Sequence, residues 1–322
     1  MSCPINTDVK LAAAIIRNGG VVAFGTETVY GLGANAFDVR AVARVFEVKG
    51  RPRFDPLIIH IAEPAEVRRL TTEFPATAQR LAARFWPGPL TLVLPKLDAV
   101  PDLVTAGLTT VAVRVPDHPM ARRLITLAGV PIAAPSANPF GEVSPTTAKH
   151  VRDQLGGRID AILDGGPCRV GVESTVLSLA GQRPNLLRPG GVTQEEIESV
   201  IGRVERPTAT AADVSQPQSS PGQLSRHYAP RTPLRITDDP SRFAPESGVG
   251  LLTLRPIDGP DRFAAVEVLS PLGDLREAAA HFYAALRRLD AAKLQQIIAV
   301  SFPEEGLGRA LNDRLRRAAA QS

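Results

Sequence analysis

Apolar positions run along the chain in two rhythms, one of about 3.6 residues and one of short unbroken runs. Residues 8–18 (DVKLAAAIIRN) carry the helical rhythm behind Asp8, an N-cap residue type, and Gly19 supplies a stop. Residues 38–48 repeat this design, with Asp38 as cap and Val42, Val45 and Phe46 on one face. The spacing also predicts helices at 75–86, 146–155 and 193–201, with Ser144 or Thr146 able to cap the second of these. Short apolar runs at 21–24, 57–61, 90–94, 110–115, 131–134, 161–163 and 175–179 read as buried strands. Strands and helices alternate, but strands also follow one another directly. This predicts an α/β fold with a mixed sheet.

From 204 to 231 the periodicity stops and Pro, Ser, Thr, Ala and Gln dominate, which reads as a linker. A second alternation follows. Strand-like runs at 250–254, 266–269 and 297–302 frame a helix over 274–293, with Leu275, Phe282, Leu286 and Leu289 on one side, and a closing helix over 308–320. The chain thus divides into a larger domain over 1–203, a linker over 204–231 and a small α/β domain over 232–322.

Composition changes this picture little. The 322 residues are 44% hydrophobic and 22% charged, enough for cores of ordinary size. A net charge of +4 is too small to argue for nucleic-acid binding, but 32 of the 37 basic residues are arginine, suited to planar grip on phosphate or carboxylate. The two cysteines, Cys3 and Cys168, lack metal or disulfide spacing. Neither a secretion signal nor a membrane-spanning run is evident, so a cytoplasmic protein is expected.

Candidate chemistry lies in five clusters. In GTETVYGLG (25–33), after a strand, Thr26, Thr28 and Tyr30 alternate and would share a face if extended; a strand end with a glycine turn is the plain alternative. GLG here lacks the rest of a dinucleotide fingerprint, and no Walker A sequence exists. VKGRPRFDPLIIHI (48–61) gathers Lys49, Arg51 and Arg53 at a helix exit, able to hold polyphosphate or merely to complement the helix dipole, and places His60 in an apolar strand. Arg114 lies inside the apolar run TVAVRV and needs a carboxylate, from a side chain or a substrate. Ser136, Asn138, Ser144, Thr146 and Thr147 line a loop before a helix. Ser174, Thr175 and Arg188 lie at strand ends. No nucleophile–base order and no acidic metal cluster stands out, which suits catalysis by positioning and charge neutralisation at phosphate.

In order, TETVYGLGANAFD, VFEVKGRP, WPGPLTLVLP, VAVRVP, APSAN, STVL and LLRPG closely resemble the YrdC domain. SPGQLSRHYAP (220–230) resembles the segment leading to the C-terminal domain of long threonylcarbamoyl-AMP synthases, and GLGRALNDRLRRAA resembles that family more weakly. The resemblance implies a twisted YrdC-like mixed sheet flanked by helices and a small Rossmann-like C-terminal domain. It implies that threonine, bicarbonate and ATP, with Mg2+, give threonylcarbamoyl-AMP and pyrophosphate. A partner transferase then modifies adenosine 37 of tRNA, and direct RNA contact is conceivable. It places Thr28, Tyr30, His60, Arg114, Ala134 and Thr175 at threonine, with Arg114 on the substrate carboxylate. Lys49 and Arg51 fall at the phosphates as catalytic cations. Asp55, Thr110, Ser136, Asn138, Ser144, Arg188 and Tyr228 fall at ATP, with the linker as a lid. Asp55 stands where the family usually has Asn, so Arg51, Arg53 or a metal must offset it, or it turns aside. Two other readings compete: a hydrogenase-maturation carbamoyltransferase, whose Cys-rich motifs are missing here, and a double-stranded RNA-binding module.

Overall fold

A computed structural model describes residues 5–206, 227–242 and 248–320. The first body contains β1 (Ile5–Asn6), α1 (Val9–Arg17), β2 (Val22–Phe24), β3 (Gly31–Asn35), α2 (Val39–Lys49), β4 (Ile58–His60), α3 (Ala76–Phe85), β5 (Leu90–Pro95), α4 (Asp102–Thr105), β6 (Thr110–Arg114), α5 (Pro119–Ala128), β7 (Ile132–Ala133), α6 (Ala148–Leu155), β8 (Ala161–Leu163), β9 (Thr175–Ser178), β10 (Asn185–Arg188) and α7 (Gln194–Ile201). The second contains β11 (Leu234–Thr237), β12 (Val249–Thr253), β13 (Ala265–Val268), α8 (Leu275–Ala291), β14 (Gln296–Val300) and α9 (Gly306–Ala319).

The predicted caps work as read. Asp8 accepts from Lys10 N and Leu11 N, and Asp38 from Arg40 N and Ala41 N. Helix α6 starts two residues later than expected, with Thr147 accepting from His150 N; Ser144 turns elsewhere. The ten strands of the first body form one mixed sheet in the order β1-β8-β2-β3-β7-β4-β6-β5-β9-β10. Neighbours β4 and β6 run parallel, with Ile58 beside Ala112 and His60 beside Arg114. Because side chains alternate along a strand, Ile58, His60, Ala112 and Arg114 share one face.

Beyond the expected elements the fold also holds β1, α4, β10 and β11, and two further departures concern a glycine-rich strand and a helix. GLGAN is the strand β3, antiparallel to β2, rather than a glycine turn. A Cβ on Gly33 would stand 2.6 Å from both Ile132 Cγ2 and Phe24 Cε1, so this glycine admits tight packing. Residues 119–128, not singled out above, form α5, which opens on Pro119 and closes on Gly129 at φ 70°.

The second sheet is wholly parallel, β11-β14-β12-β13, as expected of a small Rossmann-like unit. It does not hang free of the first body. Phe282, Tyr283, Leu286, Leu311 and Leu315 of α8 and α9 pack in one apolar cluster with Val29, Val143 and Val172 of the first body and with Tyr228. Close approach is required: Gly171 sits at φ 77°, and a Cβ there would collide with the Ala279 carbonyl. Most of the expected linker, 207–226, lies outside the described residues, as does Cys3; Cys168 is a buried free thiol. No helix among the described residues is long and apolar enough to cross a membrane.

Candidate active site

The strand ends of the first sheet open into a cavity of about 50 Å³. The ends of β4 and β6 bring His60 and Arg114 to its floor. Segment 26–29 adds Thr26, Thr28 and Val29, the 134–136 loop adds Ala134 and Ser136, and the α2 exit adds Arg51. The far wall is Glu173, Ser174, Arg188, His227 and Tyr228. Arg51, Arg114, Ser136 and Arg188, distant in sequence, therefore face one space.

Each cation is held before any ligand arrives. Arg114 Nη2 stands 2.6 Å from Glu27 Oε1, both groups buried, while its Nη1 donates to Thr28 Oγ1 (3.0 Å) and its Nε to Gly88 O (3.2 Å). The expected substrate partner for Arg114 is thus corrected in part: a side-chain carboxylate already answers its burial. Arg51 Nη2 lies 2.8 Å from Asp55 Oδ1 and donates to Pro56 O. Asp55 turns aside into this pair, fully buried, and does not line the cavity. Arg188 donates to Ser174 O and Oγ.

Several predicted contacts do not face the cavity. The chain bends at 27–29, so the strict alternation expected for Thr26, Thr28 and Tyr30 breaks. The Tyr30 hydroxyl donates toward Asp164 Oδ1 (3.0 Å) and Gly166 O (2.8 Å), and burial, then the Asp164 charge, raises its pKa. Thr175 Oγ1 is bound to the Val192 backbone, pointing away from its neighbour Ser174. Lys49 lies behind the 136–138 loop, its ammonium donating to Ser136 O (2.6 Å) and Asn138 O (2.5 Å). Burial, then the Arg51 charge, pushes its pKa well below the usual lysine range. Asn138 braces the same loop by donating to Pro139 O and Glu142 O, and Ser144 Oγ donates to Glu173 Oε1. Thr110 starts β6, four residues and about 13 Å from Arg114 along the strand. Lys49, Asn138 and Ser144 are thus placed to support the cavity wall, while Tyr30, Thr175 and Thr110 lie off it.

Two lining residues with polar side chains were not singled out from sequence, Glu173 and His227. Glu173 stands in VEST beside the two hydroxyl residues that drew attention; a carboxylate in so apolar a stretch was the available signal. His227 precedes Tyr228 and packs edge-on against it and against Phe140. Tyr228 takes φ 62°, a conformation that non-glycine residues seldom adopt, and its buried hydroxyl makes no hydrogen bond with the described residues. Burial, then the Arg114 charge, lowers the His60 pKa to about 3, so its ring is neutral at ordinary pH. No group of three or more His, Cys, Asp or Glu able to hold a metal gathers among the described residues.

A mixed α/β sheet whose strand ends converge three arginines, neutral imidazole and hydroxyls on one cavity defines a protein that grips anionic small molecules. Comparison with known proteins narrows this class. Residues 14–190 match the family model described as "Telomere recombination", and residues 192–320 match "Threonylcarbamoyl-AMP synthase, C-terminal domain". The chain is similar to the threonylcarbamoyl-AMP synthase of Bacillus subtilis, 49% identical over 97% of this chain and 92% of that one. It is 47% identical to that of Pyrococcus abyssi over 96% and 93% of the two chains. A crystal structure of P. abyssi Sua5 complexed with L-threonine matches with a TM-score of 0.88 at 44% identity, covering 97% of this chain and 94% of that one. The chain belongs to the threonylcarbamoyl-AMP synthase family.

Proposed function

We propose that this chain condenses L-threonine, bicarbonate and ATP into threonylcarbamoyl-AMP, releasing pyrophosphate and water. The observation that carries the reading is the convergence of Arg51, Arg114 and Arg188 on one cavity with Thr28, His60 and Ser136. The amine of threonine and bicarbonate form an N-carboxylate with loss of water. A carboxylate oxygen then bonds to the α-phosphorus as the bond to pyrophosphate breaks. The nucleophile belongs to the substrate, so the protein's task is to align two anions and offset their charge, which fixed guanidinium groups do. Neutral His60 and the Thr28 hydroxyl suit the amino-acid end near Arg114, and Arg51 and Arg188 suit the phosphates.

Mg2+ bound to the triphosphate would neutralise phosphate charge. The residues present do not fit a protein-held ion: Glu173, the carboxylate among the lining residues, already accepts from Ser144 and Tyr283 and pairs with Arg314. The metal is therefore assigned to the nucleotide, not to a site of the chain. Segment 227–230 serves as a cover over the nucleotide, and a separate transferase carries the product's threonylcarbamoyl group to tRNA.

The test is pyrophosphate release that requires both threonine and bicarbonate, with labelled bicarbonate traced into the adenylate by mass spectrometry. Purified chain that forms no labelled adenylate defeats the reading. RNA retention that falls steeply with salt, without turnover, favours the RNA-binding alternative instead.

A further inference from the structure

We propose that the C-terminal body sets the charge of the cavity: Arg314, with Tyr283, takes up the Glu173 carboxylate, so that the wall facing an anionic substrate is net cationic. The inference deepens the proposed function and rests on it for the identity of the anion.

Of three lining guanidinium groups, Arg51 pairs with Asp55, Arg114 pairs with Glu27, and the charge of Arg188, which donates to Ser174, acts on Glu173. Left to themselves these charges cancel, and a triphosphate would meet no net attraction. Arg314 is the fourth cation, and it comes from α9 of the other body. Its Nε donates to Glu173 Oε2 at 2.9 Å, and the group is wholly buried. The Tyr283 hydroxyl, from α8, lies 3.0 and 2.9 Å from the two Glu173 oxygens. Arg314 also donates to Pro189 O and to Asp313, whose charge Arg317 shares, and it lies under the Tyr228 ring at 5.1 Å. Burial works to raise the Glu173 pKa, but the Arg314 and Arg188 charges outweigh it and hold the carboxyl ionised.

Mere adhesion between the bodies does not require such a pair. The apolar contacts of Phe282, Tyr283 and Leu315 with Val143 and Val172 supply adhesion, and a buried ion pair generally contributes little more than apolar groups of the same shape. A cation buried beside a cavity-lining carboxylate does change what an incoming anion meets. Arg314 and Tyr283 touch no substrate in this scheme; they are positioning residues.

The experiment is a double-mutant cycle on the full chain, read by calorimetric binding of inorganic pyrophosphate and by KM for ATP. Arg314→Met is expected to weaken pyrophosphate binding and raise KM for ATP about ten-fold, with kcat at saturating ATP within about two-fold of the parent. In a Glu173→Gln background the same substitution is expected to shift both quantities by less than about two-fold, because no carboxylate is left uncompensated. Equal loss in both backgrounds overturns the proposal, marking Arg314 as a packing or Tyr228-supporting residue only. So does an Arg314→Met protein that folds and binds pyrophosphate normally. If Arg314→Met does not fold, Tyr283→Phe, which removes one hydroxyl, enters the same cycle with an expected shift of about three-fold and the same criteria. Failure of the parent chain to form labelled adenylate defeats the function, whereas the pyrophosphate cycle judges the charge device by itself.

Discussion

The two walls of the cavity are held by different means. On the strand side, Arg114, His60 and Thr28 are fixed by the register of β4 with β6 and by bonds inside one body. On the far side, Glu173 and Tyr228 are fixed by side chains from α8 and α9. The difference shows that strand pairing holds the Arg114 side of the cavity, whereas docking of the second body holds Glu173 and Tyr228 on the other. Damage to the second body should reach the nucleotide and spare threonine.

The largest expected effect breaks the strand-side wall. Arg114→Ala leaves Glu27 buried and uncompensated, so threonine-dependent turnover is abolished and unfolding free energy falls by about 3–5 kcal/mol, checked by chemical denaturation. A variant of parental stability with unaltered threonine affinity would refute the role of the pair. A smaller effect tests docking. Gly171→Ala puts a side chain at positive φ against the Ala279 carbonyl. It is expected to cost about 1–3 kcal/mol and to raise KM for ATP more than KM for threonine. Equal changes in both would erase the contrast between the walls.

The next test is pH. His60 is held at about 3 in the folded chain, below the value near 6.5 of an unfolded histidine. Between those values the unfolded state binds the extra proton, so stability is full above about pH 6.5 and is lost as pH falls toward 3, by up to about 1.4 kcal/mol per pH unit. His60→Gln should remove that part of the acid sensitivity, measured by urea denaturation at pH 7 and pH 5. An unchanged slope would show the ring to be protonated in the fold. His150, lowered to about 4 by burial and then Arg287, adds a component of the same sign that the substitution leaves in place. The smallest effect is Tyr30→Phe: about 1 kcal/mol of stability and a KM for threonine within about two-fold, because the hydroxyl serves Asp164 and Gly166. A large rise in that KM would return Tyr30 to the substrate.

Much of the fold was legible where local chemistry and tertiary packing agree. Asp8 and Asp38 announced their helices, and the apolar runs at 58–60, 90–95 and 110–114 are strands. Where glycines sit in a strand for packing reasons, as in β3, the local signal pointed to a turn instead. The signs of α5 were present in Pro119 and Gly129, but its mixed apolar and arginine content hid its face. In the site, Arg51, Arg114, Ser136 and Arg188, drawn from four separate clusters of the sequence, face one space, and Arg114, in an apolar segment, must find a counter-charge or a ligand. Which of those two it finds could not be read, because Glu27 reaches Arg114 only through a bend in the backbone.

What the sequence alone determined is most of the longer elements, the α/β class and the residue types able to grip phosphate and carboxylate, because these follow from periodicity, capping and charge within a few residues. The folded molecule decided which hydroxyls face the cavity, which cations are already paired, and that α8 and α9 reach Glu173. Those outcomes depend on distances between segments as far as 141 residues apart, and burial energy at such contacts is a property of the packed whole.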